Sequence, residues 1–254
     1  MTGKGTWIYI LDLDGTLVAG NSYHQLLRRL LVPIGRTQPR PRLATCVRTW
    51  RLVVLRGLGL IDRCTCKMRL QQLLASSSDA AFMTQFARDV RARVRSEMQD
   101  IIVKARAAGV PLVLATGALA EYAIPLAREL GFDIAVCTTV RRDGVWVETI
   151  REAKADSVLA AIDRAGLGSL GRVCFADHDD DAVLAEQCDV RFWVGKHADR
   201  LLESRRDSTR DRPLAAFDEW CREQHSVTAS RASTNRLGNT CDNQPLSGTR
   251  GRQR

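Results

Sequence analysis

Apolar residues concentrate in short runs separated by longer stretches of helical spacing. The runs are Ile8–Leu11, Val110–Ala115, Ile134–Cys137, Arg172–Ala176 and Val190–Val194. Runs of this length, rich in Ile, Leu and Val, suit strands buried on both faces of a parallel sheet. Between them lie helical patterns with recognisable ends: Ser96 to Ala108 before Gly109, Thr116-Gly117 to Leu130 before Gly131, and Glu152 to Ala165 before Gly166. Glycine after the last helical residue is a common stop, and Ser96 reads as a start. Pro125 is expected to kink the second of these helices. Asp143-Gly144 is a strong turn pair, so Thr139 to Glu148 reads as a β-hairpin. Strands alternating with helices predict an α/β, doubly wound parallel sheet.

The rhythm is interrupted once. From Leu17 to about Val94 the pattern is helical, broken by Pro33, Pro39, Pro41 and Gly57-Leu58-Gly59. Helices are predicted over Tyr23–Leu31, Leu43–Leu55, Asp62–Leu74 and Ser78–Val94, with Ser78 as an N-cap. An insert of this size after the first strand suits a lid. The expected organisation is a core over 1–17 and 95–200, a helical cap over 18–94 and a C-terminal helical extension over 201–224. Residues 225–254 are Ser-, Thr-, Asn-, Arg- and Gly-rich, and are expected to form a disordered basic tail.

Composition narrows the class. Hydrophobic residues make up 45% of the 254, which fits a globular chain. No apolar stretch reaches the ~18 residues of a membrane span. The first residues lack a basic-then-apolar leader pattern, and the expected location is cytoplasmic. The eight cysteines are scattered, and buried reduced thiols are expected. Cys64-Thr65-Cys66 has too short a spacing for a zinc knuckle. The net charge of +9 is uneven: residues 20–100 hold 15 Lys/Arg against 5 Asp/Glu. One reading is that arginines solvate the cap helices. The other is that the cap faces an anionic substrate, such as a nucleotide or a lipid phosphate at a membrane surface. Trp50 to Arg56 suits peripheral membrane contact, although core packing accounts for the same apolar residues. Nucleic acid is not an expected partner, and oligomeric state is not legible.

The chemistry gathers at predicted strand ends. Asp12 and Asp14 follow the first strand, one residue apart, before Gly15-Thr16. Residues i and i+2 share a face of a strand. Paired carboxylates there repel unless a cation lies between them, and Mg²⁺ prefers hard oxygen ligands. Thr116-Gly117 ends the second strand, Lys154 stands early in a helix, and Asp177 to Asp181 follows the fourth parallel strand. Each alone has a plain structural reading, as an acidic turn, an N-cap, a solvated lysine and an acidic helix start.

In this order, Asp12-x-Asp14-Gly15-Thr16, Thr116, Lys154 and Asp177-x-x-x-Asp181 resemble the four motifs of the haloacid dehalogenase-like phosphatases. The helical insert resembles the C1 cap of the phosphoserine-phosphatase-like subgroup. The resemblance covers about residues 6 to 196 and implies a Rossmann-like core with an inserted C1 cap. It implies a Mg²⁺-dependent phosphomonoester hydrolase with a small-molecule substrate. Asp12 would be the nucleophile, forming an aspartyl-phosphate. Asp14 would be the acid and base, and Lys154 would neutralise charge. Thr116 and Gly117 would bind phosphoryl oxygens, with Asp180 as a further polar contact. Asp12, the backbone carbonyl of Asp14, Asp177 and Asp181 would hold the metal. The presence of Asp14 favours phosphoryl chemistry over dehalogenation, which lacks this second acid. Asn21 stands where phosphoserine phosphatases carry a Glu for the substrate ammonium, so a substrate other than phosphoserine is expected. Ala176 and His178 also depart from the subgroup's pattern; His178 has a substrate-facing and a solvent-facing reading. A phosphotransferase would use the same motifs. A non-catalytic protein binding nucleic acid or membrane through the cap is the alternative of another class.

Overall fold

A computed structural model of the chain describes residues 7–32, 41–76, 80–140, 144–205 and 208–224. The sheet is built from β1 (Trp7–Leu11), β2 (Leu112–Leu119), β3 (Ile134–Val140), β4 (Trp146–Val147), β5 (Gly171–Ala176), β6 (Val190–Trp193) and β7 (Asp211–Pro213). Their order across the sheet is β4-β3-β2-β1-β5-β6-β7. All neighbours are parallel except β3 and β4, the expected hairpin, in which Thr139 faces Val147. β1 is central, with the chain winding outward to β2 on one side and β5 on the other. A ligand site is therefore expected beyond the C-terminal end of β1, where the winding changes direction. This is the α/β doubly wound fold that the sequence pattern predicts.

Burial in the middle of the sheet explains the apolar runs. Ile8, Ile10 and Val113 have no exposed surface and pack with Val158, Ile162 and Trp193 in one core cluster. The core helices are α5 (Ser96–Ala107), α6 (Ala120–Leu130), α7 (Arg151–Arg164), α8 (Ala182–Glu186) and α9 (Ala198–Ser204). Gly131 ends α6 with a left-handed φ of 78°, a conformation that costs a residue with a Cβ. Ser96 is not the cap of α5. It is the first helical residue, and Arg95 precedes it with no side-chain capping bond.

Between β1 and α5 stand α1 (Ser22–Leu31), α2 (Leu43–Gly57), α3 (Arg63–Ser76) and α4 (Ala80–Arg91). Where the chain leaves and returns, Val18 pairs antiparallel with Val94. Ser78, the expected cap of the fourth helix, lies outside the described residues, as does the expected tail 225–254.

The expected helical extension from 201 is corrected in part. Residues 211–213 add a strand to the sheet. Asp211 secures it by accepting hydrogen bonds from Trp193 Nε1 (2.6 Å) and Arg191 (3.3 Å). Residues 1–213 form one compact unit. The second begins with a turn at Leu214–Ala216 and a helix over 217–224, in which the Phe217 and Trp220 rings lie 6.0 Å apart. The seven cysteines among the described residues are free thiols.

Candidate active site

The site begins where β1 runs out. Asp12 N still donates to Phe175 O of β5, so the first carboxylate is held by sheet bonding. The chain then curls back: Val18 N donates to Leu13 O at 2.9 Å and Gly15 N to Val18 O at 2.8 Å. Gly15 has φ +89°, and a Cβ there would lie 1.9 Å from Asp177 Oδ2. Glycine at this position is thus what lets the β1 loop approach the carboxylate arriving from β5. Arg95 fastens the same loop, donating from its side chain to Gly15 O (3.1 Å) and from its backbone to Leu17 O (2.9 Å).

Asp12, Lys154 and Asp181 meet although they stand far apart in sequence. Lys154 Nζ lies 2.6 Å from Asp12 Oδ1 and 2.5 Å from Asp181 Oδ1, and all three side chains are nearly buried. Lys154 is in the first turn of α7. Arg151, at the head of that helix, takes φ +48°, a strained value for a residue with a Cβ. The abrupt turn brings Lys154 into the site within the short span from the hairpin. The Arg151 side chain pairs with Asp180 at 2.8 Å.

Carboxylate oxygens of Asp12, Asp177 and Asp181 all lie within 4.8 Å of one another. Two of the three, Asp12 and Asp177, hold their protons more tightly than an ordinary carboxyl. Burial, more than any neighbour, raises the pKa of Asp12 well above the ordinary carboxyl range, with Lys154 opposing. Asp177 is pushed up to about 6, first by burial and then by Asp181. Lys154 is raised: its two carboxylate partners overcome the burial that would lower it. One ammonium among three close carboxylates leaves excess negative charge, and hard oxygens at this spacing fit a divalent cation.

Asp14 is separate from this group. Its Oδ1 accepts from Ser22 N at 2.8 Å, at the start of α1, and burial raises its pKa. The Ser22 hydroxyl is in turn hydrogen-bonded to the buried Tyr122 hydroxyl (2.8 Å). Thr116 Oγ1 accepts from Ala118 N at 3.1 Å, which leaves its proton to donate. Gly117 is set by Thr138, whose hydroxyl donates to Gly117 O at 2.8 Å.

Two expected contacts have other partners. Asn21 is exposed and its side-chain oxygen caps α1 by accepting from His24 N (2.9 Å). Asp180 is half-exposed and held by Arg151. Both still line the cleft. His178 Nδ1 accepts from Asp180 N at 3.1 Å, so this imidazole caps the turn after β5.

The cleft encloses about 1180 Å³. Asp12, Asp14, Thr116, Lys154 and Asp177 line its floor; Tyr23, Val53, Arg56, Arg63 and Lys67 come from the helical insert above. Lys67 on α3 is only 6% exposed and bonds Glu148 of the core at 2.7 Å, with Arg63 joining at 3.2 Å. Burial lowers the Lys67 pKa, while Glu148 holds it up. Sequence reasoning missed Lys67, Glu148 and Arg95, because no short spacing links them to the acidic motifs.

A family model described as haloacid dehalogenase-like hydrolase matches residues 9–186. The chain belongs to the haloacid dehalogenase-like hydrolase family. Among solved structures, a protein of unknown function from Bordetella pertussis Tohama I is 23% identical, with 82% of this chain and 98% of that one covered and a TM-score of 0.63. Cytosolic 5'-nucleotidase IIIB bound to cytidine is 13% identical, covers 88% of each chain and has a TM-score of 0.56. A substrate-bound phosphoserine phosphatase is 12% identical, with 85% and 99% covered and a TM-score of 0.50. These likenesses establish the shared fold. No curated protein matches.

Proposed function

We propose that the protein is a Mg²⁺-dependent phosphomonoesterase acting through an aspartyl-phosphate on a small anionic substrate other than phosphoserine. The observation that carries this reading is the buried contact of Lys154 with Asp12 and Asp181, beside an Asp14 held apart on Ser22. In the first step an Asp12 oxygen attacks phosphorus and the bond to the leaving alkoxide breaks. Asp14 gives that oxygen its proton, and the burial that raises its pKa suits it to arrive protonated. In the second step the Asp14 carboxylate takes a proton from water as the water oxygen attacks phosphorus. The acyl-phosphate bond breaks, inorganic phosphate leaves and Asp12 is restored. Lys154 offsets the negative charge where nucleophile and phosphoryl group meet. Thr116 and the Gly117 amide donate to phosphoryl oxygens. Asp12, Asp177, Asp181 and the Asp14 carbonyl would hold Mg²⁺. Mg²⁺, when bound, offsets the charge repulsion between the Asp12 carboxylate and the phosphate dianion.

Tyr23, Arg56, Arg63 and Lys67 line the cleft from the helical insert, and their cationic members favour a substrate with a second anionic group. Asn21 offers no charge to an ammonium, which argues against phosphoserine. The test is phosphate release from a panel of phosphate monoesters with Mg²⁺, against Asp12→Asn. Wild-type turnover at least about a hundredfold above that control is expected, since the variant lacks the nucleophile. Equal rates across the panel would remove the reading. Release with water as the sole acceptor separates hydrolysis from transfer to another alcohol.

A further inference from the structure

Helix α2 is amphipathic in the wrong sense for a helix in water. Its buried residues are Thr45 and Thr49, and the Thr49 hydroxyl has no hydrogen-bond partner among the described residues. Leu52, Val53, Val54 and Leu55 are half-buried, but four large apolar side chains along it are exposed: Leu43 is 80% exposed, Val47 60%, Trp50 61% and Leu58 68%. At 100° per residue, Leu43, Val47, Trp50, Val54 and Leu58 fall within one narrow stripe along the helix. The stripe is about 22 Å long at 1.5 Å per residue, and Leu60, 67% exposed, follows it. Turning the helix to bury the stripe would withdraw Val53 and Arg56, which line the cleft from another side of α2. The cleft and the stripe thus occupy different faces of one helix.

Charge identifies the occupant. Residues 15–61 contain eight arginines and not one Asp or Glu. Arg48 and Arg51 are exposed along one border of the stripe. A second copy of the chain would bring arginines against arginines, whereas an anionic bilayer meets both needs: its hydrocarbon boundary accepts the apolar stripe and its headgroups accept the guanidinium groups. We propose that the outer face of α2 is a membrane-docking surface that seats the protein on anionic lipid with the cleft beside the headgroups. This rests on the exposed face and its charge; it holds whether or not the cleft hydrolyses phosphate.

The experiment uses the full chain and vesicles of phosphatidylglycerol in phosphatidylcholine, with phosphatidylcholine vesicles as the comparison. Flotation with the anionic vesicles at low salt is expected, with at least about tenfold weaker partitioning to the neutral ones. Brominated acyl chains should quench part of the wild-type tryptophan emission, and Trp50→Phe should abolish that quenching. Val47→Glu and Trp50→Glu should each weaken partitioning at least about tenfold, with the far-UV spectrum and melting temperature retained. Where a soluble monoester is turned over, its rate should not change, because neither side chain lines the cleft. Failure of the wild type to float, or flotation of Trp50→Glu like wild type, overturns the proposal. So does a solution dimer that Trp50→Glu dissolves, since the stripe would then be covered by a second copy.

Discussion

The tightest constraint in the site is a missing atom. Gly15 sits at φ +89°, and a methyl group there would overlap the Asp177 carboxylate. Gly15→Ala therefore meets two costs, roughly 1–2 kcal/mol for the left-handed backbone and about 1–3 kcal/mol for displaced neighbours. We expect urea melts to show a loss of about 2–4 kcal/mol. The variant should also need more Mg²⁺ for half-maximal activity, because Asp177 must move. An unchanged Mg²⁺ requirement would show that Asp177 does not need its present position. Part of this was legible in the sequence: Asp-x-Asp-Gly-Thr after a buried strand places acids, turn and glycine together. The partners of individual polar groups were not. Asn21 and Asp180 fall at the expected places along the chain, yet one caps α1 and the other pairs with Arg151. A side chain's orientation depends on neighbours that motif spacing does not record.

Among elements, α3 is tied to the core by a buried ion pair and by Gln71, which donates to Thr138 O (3.1 Å) and accepts from Trp146 Nε1 (2.7 Å). Lys67 and Glu148 are only 8% and 12% exposed in their side chains, whereas Arg63 is 61% exposed and adds little. Glu148→Gln leaves a buried ammonium without its carboxylate, and we expect a loss of about 2–4 kcal/mol. Hydrogen exchange should quicken in α3 before it does in β1. Lys67→Met together with Glu148→Gln should recover part of the loss, because the unpaired charge is gone. Additive losses would show that the pair is not coupled. The pair stands 81 residues apart, and no local pattern could reveal it. The strands were easier to read. β1, β2, β5 and β6 are largely buried parallel strands, so apolar runs mark them in the sequence. β7, Asp-Arg-Pro, has no such run; it joins the sheet because Asp211 meets Trp193 and Arg191. The apolar residues of α2 were also visible, but the sequence left membrane contact and core packing as two readings of them. The cleft needs Val53 and Arg56, and that need decides which face is left outside.

At the scale of the whole molecule, the winding of the sheet gathers carboxylates from β1 and β5 at one edge, and folding must bury their charge. Asp177 shows the consequence. Its pKa is about 6 in the folded chain against an ordinary carboxyl value of 3.8. The folded state therefore holds a proton that the unfolded state releases, and the difference spans pH 4 to 6, between those two values. Since the native form binds more protons in that window, stability falls as pH rises through it. Below the window both states are protonated and the penalty vanishes; above it the penalty is complete. The lowered carboxyls of Asp62, Glu97 and Asp180 act in the opposite direction. The quantity to read is therefore the difference between wild type and Asp177→Asn in EDTA. That difference should favour the variant progressively from about pH 4 to about pH 6 and then level off. Mg²⁺, held by the ionised carboxylates as proposed, would oppose the same penalty and add stability with concentration as any native-state ligand does. Its effect on melting temperature should be larger at about pH 7.5 than at about pH 5 and should shrink in Asp177→Asn. A Mg²⁺ shift of equal size at both pH values would mean that the burial of Asp177 is not what the cation relieves.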